Sequence, residues 1–140
     1  MKVAILYGST TGTTETIANI LQNTLSGHEV TLMNVKSVDE SVLKASDTVL
    51  LGSSTWGYGE LQDDFADYID QMTQEVYRDK PVAVFGAGDA VGFADVFCEA
   101  VEIISNKLDE LGAKIVTDPL KVDGDANDNL PAIEAFAGNI

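Results

Sequence analysis

The sequence has few of the residues that build disulfides, metal centres and nucleic-acid surfaces. Its 140 residues include one Cys and one His, which excludes an internal disulfide, a four-cysteine iron–sulfur site and a zinc site of Cys and His ligands. Lys and Arg number 8 against 23 Asp and Glu, so the formal net charge is −15. Because nucleic acids and anionic membranes are bound through basic residues, the composition argues against both as partners.

Long apolar runs are lacking as well. No run reaches the roughly 18 apolar residues of a transmembrane helix, and the first residues contain no small-residue site for signal cleavage. We therefore expect a cytoplasmic protein. The length and the hydrophobic fraction of 45% predict one domain over residues 1–140 with a packed core.

The chain alternates short apolar runs with helical periodicities. The runs are typical of parallel strands buried on both faces, and they are Lys2–Tyr7, Val30–Met33, Thr48–Leu51, Pro81–Phe85 and Lys114–Val116. Apolar residues three or four apart predict helices, marked by Ile17, Leu21 and Leu25, by Leu61, Phe65, Ile69 and Met72, by Phe97, Val101, Ile104, Leu108 and Leu111, and by Leu130, Ile133, Ala137 and Ile140. Ser37–Ala45 is predicted to be a further helix capped by Ser37. The alternation predicts an α/β fold with a parallel sheet and helices on both faces.

Ligands of such sheets bind at the carboxyl ends of the strands, so the loops after the first, third and fourth strands form the candidate site. Around Gly12, the first loop carries five hydroxyl residues at the start of a helix: Ser9, Thr10, Thr11, Thr13 and Thr14. Hydroxyls and backbone N–H groups at a helix N-terminus favour a phosphate, and the lack of Lys and Arg indicates a monophosphate held by neutral donors. A Ser/Thr-rich helix cap without a ligand is the alternative.

The other two loops carry aromatic residues among glycines. One contains Ser54, Thr55, Trp56, Gly57, Tyr58 and Gly59, and the other contains Gly86, Gly88, Asp89 and Phe93. Trp56 can stack on a flat ring, or alternatively fold back over the sheet edge. Phe93 is a second stacking candidate, or alternatively the first apolar residue of the next helix. Together with the first loop, these residues predict a ligand in which a flat ring is linked to a phosphate.

The three motifs, in this order and across the whole chain, resemble those of flavodoxins, the small electron carriers that bind flavin mononucleotide (FMN). The short stretch between the fifth strand and the last helix resembles their short-chain members. The resemblance implies a doubly wound, five-stranded parallel sheet in the order 2-1-3-4-5. It also implies that residues 9–14 hold the phosphate, that Trp56 covers the inner face of the flavin and Phe93 the outer face. Backbone groups near the polar edge of the ring would come from Gly57, Gly59, Gly88, Asp89 and their neighbours.

The function implied by the resemblance is one-electron transfer between redox enzymes. It would use the semiquinone/hydroquinone couple of non-covalently bound FMN, with the Gly57–Tyr58 peptide turning its carbonyl towards the protonated N5. Two positions depart from the family pattern, since many relatives have Asn in place of Thr13 and Tyr in place of Phe93.

Acidic residues follow both aromatic loops. Five lie between Glu60 and Asp70 and four between Asp89 and Glu102, with no base in either stretch. They would disfavour a second electron on the flavin and attract redox partners with basic docking faces, or alternatively form only a solvated face. We expect a monomer, with His28 exposed in a turn and Cys98 packed in a helix.

Two other functions are compatible with this fold class. A signalling receiver domain needs carboxylates at the end of the first strand, and this chain has none there. A flavin-dependent NAD(P)H:quinone-type reductase must seat a second substrate over the flavin, and we find no extra segment for that purpose.

Overall fold

A computed structural model describes residues 1–8, 13–56, 60–61, 63–88, 99–123 and 126–140. The strands are β1 (Lys2–Gly8), β2 (Glu29–Asn34), β3 (Thr48–Trp56), β4 (Glu60–Leu61), β5 (Pro81–Gly88), β6 (Lys114–Ile115) and β7 (Leu120–Asp123). The helices are α1 (Thr13–Thr24), α2 (Glu40–Ala45), α3 (Asp63–Ile69), α4 (Gln74–Tyr77), α5 (Glu99–Glu110) and α6 (Leu130–Gly138). Short 3₁₀ turns lie at Val35–Ser37 and Ala126–Asn129.

The sheet has the predicted order. Its hydrogen-bonded path is β2-β1-β3-β5-β6, and these neighbours are all parallel. β6 and β7 both pair with β5, through Lys114 opposite Pro81 and Leu120 opposite Phe85. The two short strands therefore occupy the fifth position one after the other, which confirms the order 2-1-3-4-5.

The prediction for the fifth position was incomplete, because Lys114–Val116 accounts only for β6. The chain leaves the ladder after β6, and Pro119, which has no N–H to donate, precedes the return to the sheet in β7. Within β7, Leu120 and Val122 are buried, whereas the residues between and after them are exposed. This period of two is a strand signal in the sequence, but it spans only four residues.

Helices cover both faces of the sheet, as predicted. Successive residues of a strand point to opposite faces, so Ala4 and Leu6 belong to a core with α2 to α5, whereas Val3 and Ile5 belong to a core with α1 and α6. This arrangement explains why the strands are continuous apolar runs rather than alternating ones.

Strands β3 and β5 extend beyond their predicted ends at Leu51 and Phe85. The ladder continues through small residues, with Ser53 opposite Gly86 and Ser54 opposite Ala87. The apolar runs stop earlier because the side chains become small here, while the backbone pairing does not stop.

Two predictions in the connecting segments were wrong. Ser37 ends a 3₁₀ turn and does not cap α2; the cap is Asp39, whose carboxylate accepts a hydrogen bond from the backbone N–H of Ser41 at 3.0 Å. His28 is half-buried rather than exposed, and its Nδ1 atom is buried without a hydrogen-bond partner among the described residues. A backbone hydrogen bond closes the turn after α1, in which the N–H of His28 donates to Leu25 O at 2.9 Å.

The remaining differences concern the ends of helices. Leu61, which the periodicity placed in a helix, lies in β4, and Met72 is buried just after α3. Gly112 follows α5 with a φ of 81°, a left-handed conformation suited to glycine, which confirms it as the end of that helix. No helix in the described part of the chain is both long and apolar enough to cross a membrane.

Candidate functional site

The carboxyl ends of three central strands lie side by side. In the ladder, Gly8 of β1 is opposite Ser53 of β3, and Ser53 is opposite Gly86 of β5. The three segments predicted to form a site therefore begin from one edge of the sheet. This is the edge at which open α/β sheets bind ligands.

A buried hydrogen bond joins the first of these segments to the second. Thr14 lies in the first turn of α1 and is fully buried, and Ser54 near the end of β3 is 6% exposed. Their side-chain oxygens are 2.6 Å apart, and either hydroxyl could be the donor. Two residues that are 40 positions apart in sequence thus hold the start of α1 against the end of β3.

The start of α1 has the chemistry of an anion site. The helix is 12 residues long, so its first N–H groups carry the partial positive charge of a helix N-terminus. Thr13 is half-buried and Thr14 buried, and no basic side chain lies in the first turn. In this turn the described donors are therefore hydroxyls and backbone N–H groups, and the one charged side chain is that of the acidic residue Glu15.

The segment with Trp56 is the tip of a hairpin. The backbone of Thr55 pairs with that of Leu61, and the backbone of Trp56 pairs with that of Glu60, in antiparallel fashion. Three residues, 57–59, connect the two strands and lie outside the described residues. Sequence reasoning missed this hairpin because β4 has only two residues and precedes a helical pattern.

Gly86 and Gly52 are close to neighbouring side chains, on opposite faces of the sheet. A Cβ at Gly86 would lie 2.5 Å from Val101 Cγ2 and 2.9 Å from Ser53 O, and a Cβ at Gly52 would overlap the ring of Phe85. At Gly86 the space of a side chain is thus filled by α5. The predicted backbone contact between Gly86 and a ligand is not tested by this packing.

Several predicted site residues lie outside the described residues, and their roles stay predictions. They are Ser9, Thr10, Thr11, Gly12, Gly57, Tyr58, Gly59, Asp89 and Phe93, together with Cys98. For Thr55 and Trp56 the structure describes the backbone at the end of β3, and for Gly88 it describes pairing with Asp123 of β7. These positions agree with loops that gather at one edge.

Comparison with known proteins agrees with this architecture. The sequence model of the family described as "Flavodoxin" matches residues 5–136. A flavodoxin of Maridesulfovibrio salexigens is 43% identical over 129 residues, which cover 89% of this chain and 87% of that protein. The chain belongs to the flavodoxin family.

Solved flavodoxin structures have the same fold. The crystal structure of oxidised Flavodoxin 2 from Bacillus cereus matches with a TM-score of 0.88 at 36% identity, covering 99% of this chain and 97% of that one. A Fusobacterium nucleatum flavodoxin bound to FMN matches with a TM-score of 0.85 at 18% identity, covering 98% and 95%. At this low identity, the match to the Fusobacterium nucleatum protein shows a shared fold.

The fold brings lysines to two of the acids that flank the flavodoxin loops. Lys36 Nζ lies 3.5 Å from Asp64 Oδ2, and Lys121 Nζ lies 2.8 Å from Glu102 Oε1. Both lysines are distant in sequence from their partners, so the sequence pattern of acids without bases overstates the free negative charge. Three acids that follow the hairpin remain exposed: Asp63, Asp67 and Asp70.

The largest pKa shifts in the described residues belong to two buried tyrosines. The hydroxyls of Tyr68 on α3 and Tyr77 on α4 are 2.5 Å apart. Burial raises the pKa of Tyr68 to about 12 and raises the pKa of Tyr77 further. The ring of Phe65 packs edge-on against Tyr68, with centroids 5.7 Å apart. This pair joins α3, which follows the hairpin, to α4.

Among the described residues, no group of three or more His, Cys, Asp or Glu side chains is placed to hold a metal ion.

Proposed function

We propose that the protein binds FMN non-covalently at the carboxyl edge of the sheet and carries single electrons between redox proteins. The observation that supports this proposal is the Thr14–Ser54 hydroxyl pair, which joins the start of α1 to the end of β3, the strand that leads into the hairpin of Trp56. Membership of the flavodoxin family supports the same function, since flavodoxins are electron-transfer proteins rather than enzymes. When bound, FMN supplies the one-electron chemistry.

The described residues fit the phosphate end of FMN. Thr14 and Ser54 offer buried hydroxyls, and α1 offers the N–H groups of its first turn. In the proposal, Ser9, Thr10, Thr11, Gly12 and Thr13 complete this donor set. Because no cation takes part, the site holds a phosphate without activating it for transfer.

The hairpin and the segment after β5 are the proposed binding region for the flavin ring. Trp56 would cover one face and Phe93 the other, while backbone groups of residues 57–59, 88 and 89 would meet the polar edge. Apolar rings on both faces exclude water and leave the edge of the flavin as the route for electrons. An exposed edge suits a carrier that receives and delivers electrons by contact with other proteins.

An NAD(P)H:quinone-type reductase is not favoured. The relative and the solved structures reported above are flavodoxins, and the chain matches them over most of its length. Steady consumption of NAD(P)H with a quinone, without an added reductase, would support the enzyme instead.

We propose that the redox partners present basic faces. The support is the net charge of −15 and the exposed acids Asp63, Asp67 and Asp70 beside the hairpin. A cavity of about 350 Å³ lies between residues 35–38 and α3, lined by Asp64 and Asp67 and also by Lys36, which pairs with Asp64. A cytoplasmic location and a monomeric state complete the proposal.

Binding and stepwise reduction test the cofactor. The purified protein is stripped of flavin, and its affinities for FMN and for riboflavin, which lacks the phosphate, are measured by fluorescence quenching. We expect much tighter binding of FMN, because only FMN uses the donors at the start of α1. Potentiometric reduction should then show two separate one-electron steps. A protein that binds neither flavin, or takes both electrons in one step, would contradict the proposal.

A Trp56→Ala variant tests the inner stacking residue. Loss of base–aromatic stacking is worth roughly 1–3 kcal/mol per ring contact, so we expect FMN binding to weaken by about tenfold or more. Thr13→Ala serves as the comparison for the phosphate end, since it should weaken FMN binding and leave riboflavin binding unchanged. Equal affinity of the native protein and Trp56→Ala for riboflavin would reject Trp56 as a ring contact.

A further inference from the structure

Lys36 places a positive charge on the α3 side of the candidate site. Its Nζ atom lies 3.5 Å from Asp64 Oδ2, and both residues line the cavity of about 350 Å³ together with Asp67. Asp67 is exposed on the same helix, one turn after Asp64. One ammonium group therefore lies beside the carboxylates of α3.

The turn that carries Lys36 is at the same edge of the sheet as the candidate site. Strand β2 ends at Asn34, opposite Tyr7 near the end of β1, and residues 35–37 follow it directly. Helix α3 begins two residues after β4, which pairs with the end of β3. The backbone of the turn is held by Asn34, whose Oδ1 atom accepts a hydrogen bond from the N–H of Lys36 at 3.0 Å. A partner that approaches this edge on the α3 side therefore meets the charge of Lys36.

The geometry of the ion pair indicates a role in surface charge rather than in folding. The side chain of Lys36 is 64% exposed and that of Asp64 is 25% exposed. Their separation of 3.5 Å is longer than the roughly 2.7–2.9 Å of a charge-assisted hydrogen bond between nitrogen and oxygen. Exposed ion pairs of this kind add little to stability, but the ammonium group still offsets one negative charge and repels other cations.

We infer that Lys36 is a specificity-determining residue for redox partners, an inference that rests on the proposed electron-transfer function. Specificity depends on unfavourable contacts with the wrong partner as well as on favourable contacts with the right one. Lys36 weakens the attraction between α3 and cationic partners, and it also weakens the repulsion of anionic partners. Sequence reasoning counted only the acids that follow the hairpin and gave Lys36 no role.

Lys36→Met is the direct test, because Met keeps an unbranched side chain and removes the charge. The reduced, FMN-loaded protein is mixed by stopped flow with a cationic acceptor, hexaammineruthenium(III), and separately with an anionic acceptor, hexacyanoferrate(III). At low ionic strength we expect the variant to react roughly threefold faster with the cation and roughly threefold slower with the anion, because one unit charge acts on a highly charged complex over about 10 Å. The ratio of the two rates should therefore rise about tenfold.

Two matched variants separate the position of the charge from the net charge. Lys36→Arg retains the positive charge and should keep the native ratio of rates. Lys44→Met removes a positive charge at the amino edge of the sheet, where Lys44 pairs with Glu75 at 2.7 Å and its carbonyl oxygen accepts from Lys80 Nζ, just before β5. Both Met variants make the net charge of −15 more negative by one unit, but Lys44→Met should keep the native ratio.

Binding supplies a readout that does not depend on the potential of the flavin. The affinity of the purified protein for a basic c-type cytochrome is measured by isothermal titration calorimetry at low ionic strength. It should rise in Lys36→Met and stay at the native value in Lys44→Met. The difference in rates between Lys36→Met and the native protein should vanish at about 1 M salt, where the screening length is about 3 Å.

A native rate ratio and a native cytochrome affinity in Lys36→Met would overturn the inference. Equal shifts in Lys44→Met would also overturn it, because net charge alone would then explain them. A rate difference that persists at about 1 M salt would indicate a changed flavin potential instead of a changed attraction, and would reject the role of Lys36. Failure of the native protein to bind FMN would overturn the proposed function, while the cytochrome affinity would still test Lys36.

Discussion

At the scale of single residues, Thr14 and Ser54 form a buried hydroxyl pair, and both are proposed to lie at the cofactor site. Each is buried, and each is the other's hydrogen-bond partner. Thr14→Val keeps the shape but removes the hydroxyl, so Ser54 loses this partner. A buried polar group left unsatisfied costs about 1–3 kcal/mol. We therefore expect the free energy of unfolding, measured with urea, to fall by that amount. FMN binding should also become weaker.

The double variant Thr14→Val/Ser54→Ala is the control for that interpretation. When both partners of a hydrogen bond become apolar, the cost is much smaller than when one remains. The double variant should therefore be more stable than the sum of the two single changes implies. If the losses in unfolding free energy of the two single variants add up to that of the double variant within about 0.5 kcal/mol, the two hydroxyls act independently.

Tyr68 and Tyr77 make stability depend on pH in the alkaline range. Burial raises the pKa of both hydroxyls above their ordinary value, to about 12 for Tyr68. Between about pH 10 and 12 the unfolded chain therefore loses these protons while the folded chain keeps them. The unfolded state then binds fewer protons, so the free energy of unfolding falls as pH rises, by about 1.4 kcal/mol per pH unit for each tyrosine. Below about pH 10 this contribution is fully present.

Tyr68→Phe checks the assignment. The variant lacks one of the two titrating hydroxyls and removes the partner of the other. We expect a shallower decline of the free energy of unfolding between pH 10 and 12, measured by urea titration at several pH values. Tyr7 and Tyr58 are present in both proteins and cancel in the comparison. Identical slopes for the two proteins would mean that the buried pair does not cause the alkaline loss.

Residue types were easier to predict from the sequence than their partners. The run of hydroxyls pointed to Thr14, but nothing local links it to Ser54, because that contact depends on the register of β1 against β3. Gly86 was predicted to bring its backbone close to a bound ring, and that stays a prediction; its closeness to Val101, a residue 15 positions further along the chain, could not be read from the sequence. His28 was predicted to be exposed because it lies between Gly27 and Glu29 in a turn, and the fold of that turn half-buries it.

At the scale of elements, the start of helix α2 depends on which residue caps it. Asp39 is the N-cap, since its carboxylate accepts hydrogen bonds from the N–H and the hydroxyl of Ser41, and these bonds lower the pKa of Asp39. Asp39→Ala should lower the thermal unfolding midpoint, because an N-cap residue satisfies otherwise free N–H groups. Ser37→Ala should have almost no effect. A larger decrease in the unfolding midpoint for Ser37→Ala than for Asp39→Ala would instead support Ser37 as the cap, as predicted from the sequence.

Long elements were predicted well, and short ones were missed. The strands buried on both faces and the longest helices carry enough apolar repeats to be recognised. The elements β4, β7 and α4 have two to four residues each, which is too short for a period to show. Their existence depends on tertiary pairing, as when β4 forms by folding back on the last residues of β3.

For the whole molecule, the sheet order followed from the family resemblance, whereas the distribution of charge required the structure. Lys2, Lys80 and Lys114 lie at the amino edge of the sheet, opposite the candidate site. Lys36 and Lys121 each sit against an acid that follows one of the site segments. Among the described residues, the exposed acids on the side of the candidate site include Asp63, Asp67 and Asp70 on the α3 side and Glu15 in the first turn of α1.

This asymmetry predicts how electron transfer responds to salt. The rate of reduction of a basic c-type cytochrome by the reduced protein, measured by stopped flow, should fall steeply as ionic strength rises, because salt screens attraction over more than about 10 Å at 0.1 M. Asp67→Asn/Asp70→Asn should slow the reaction at low salt and flatten its salt dependence. Asp109→Asn/Glu110→Gln removes the same charge from exposed residues at the far end of α5, so its rate should stay close to the native one. Equal losses in the two double variants would mean that net charge alone attracts the partner and that the α3 side has no special part in docking.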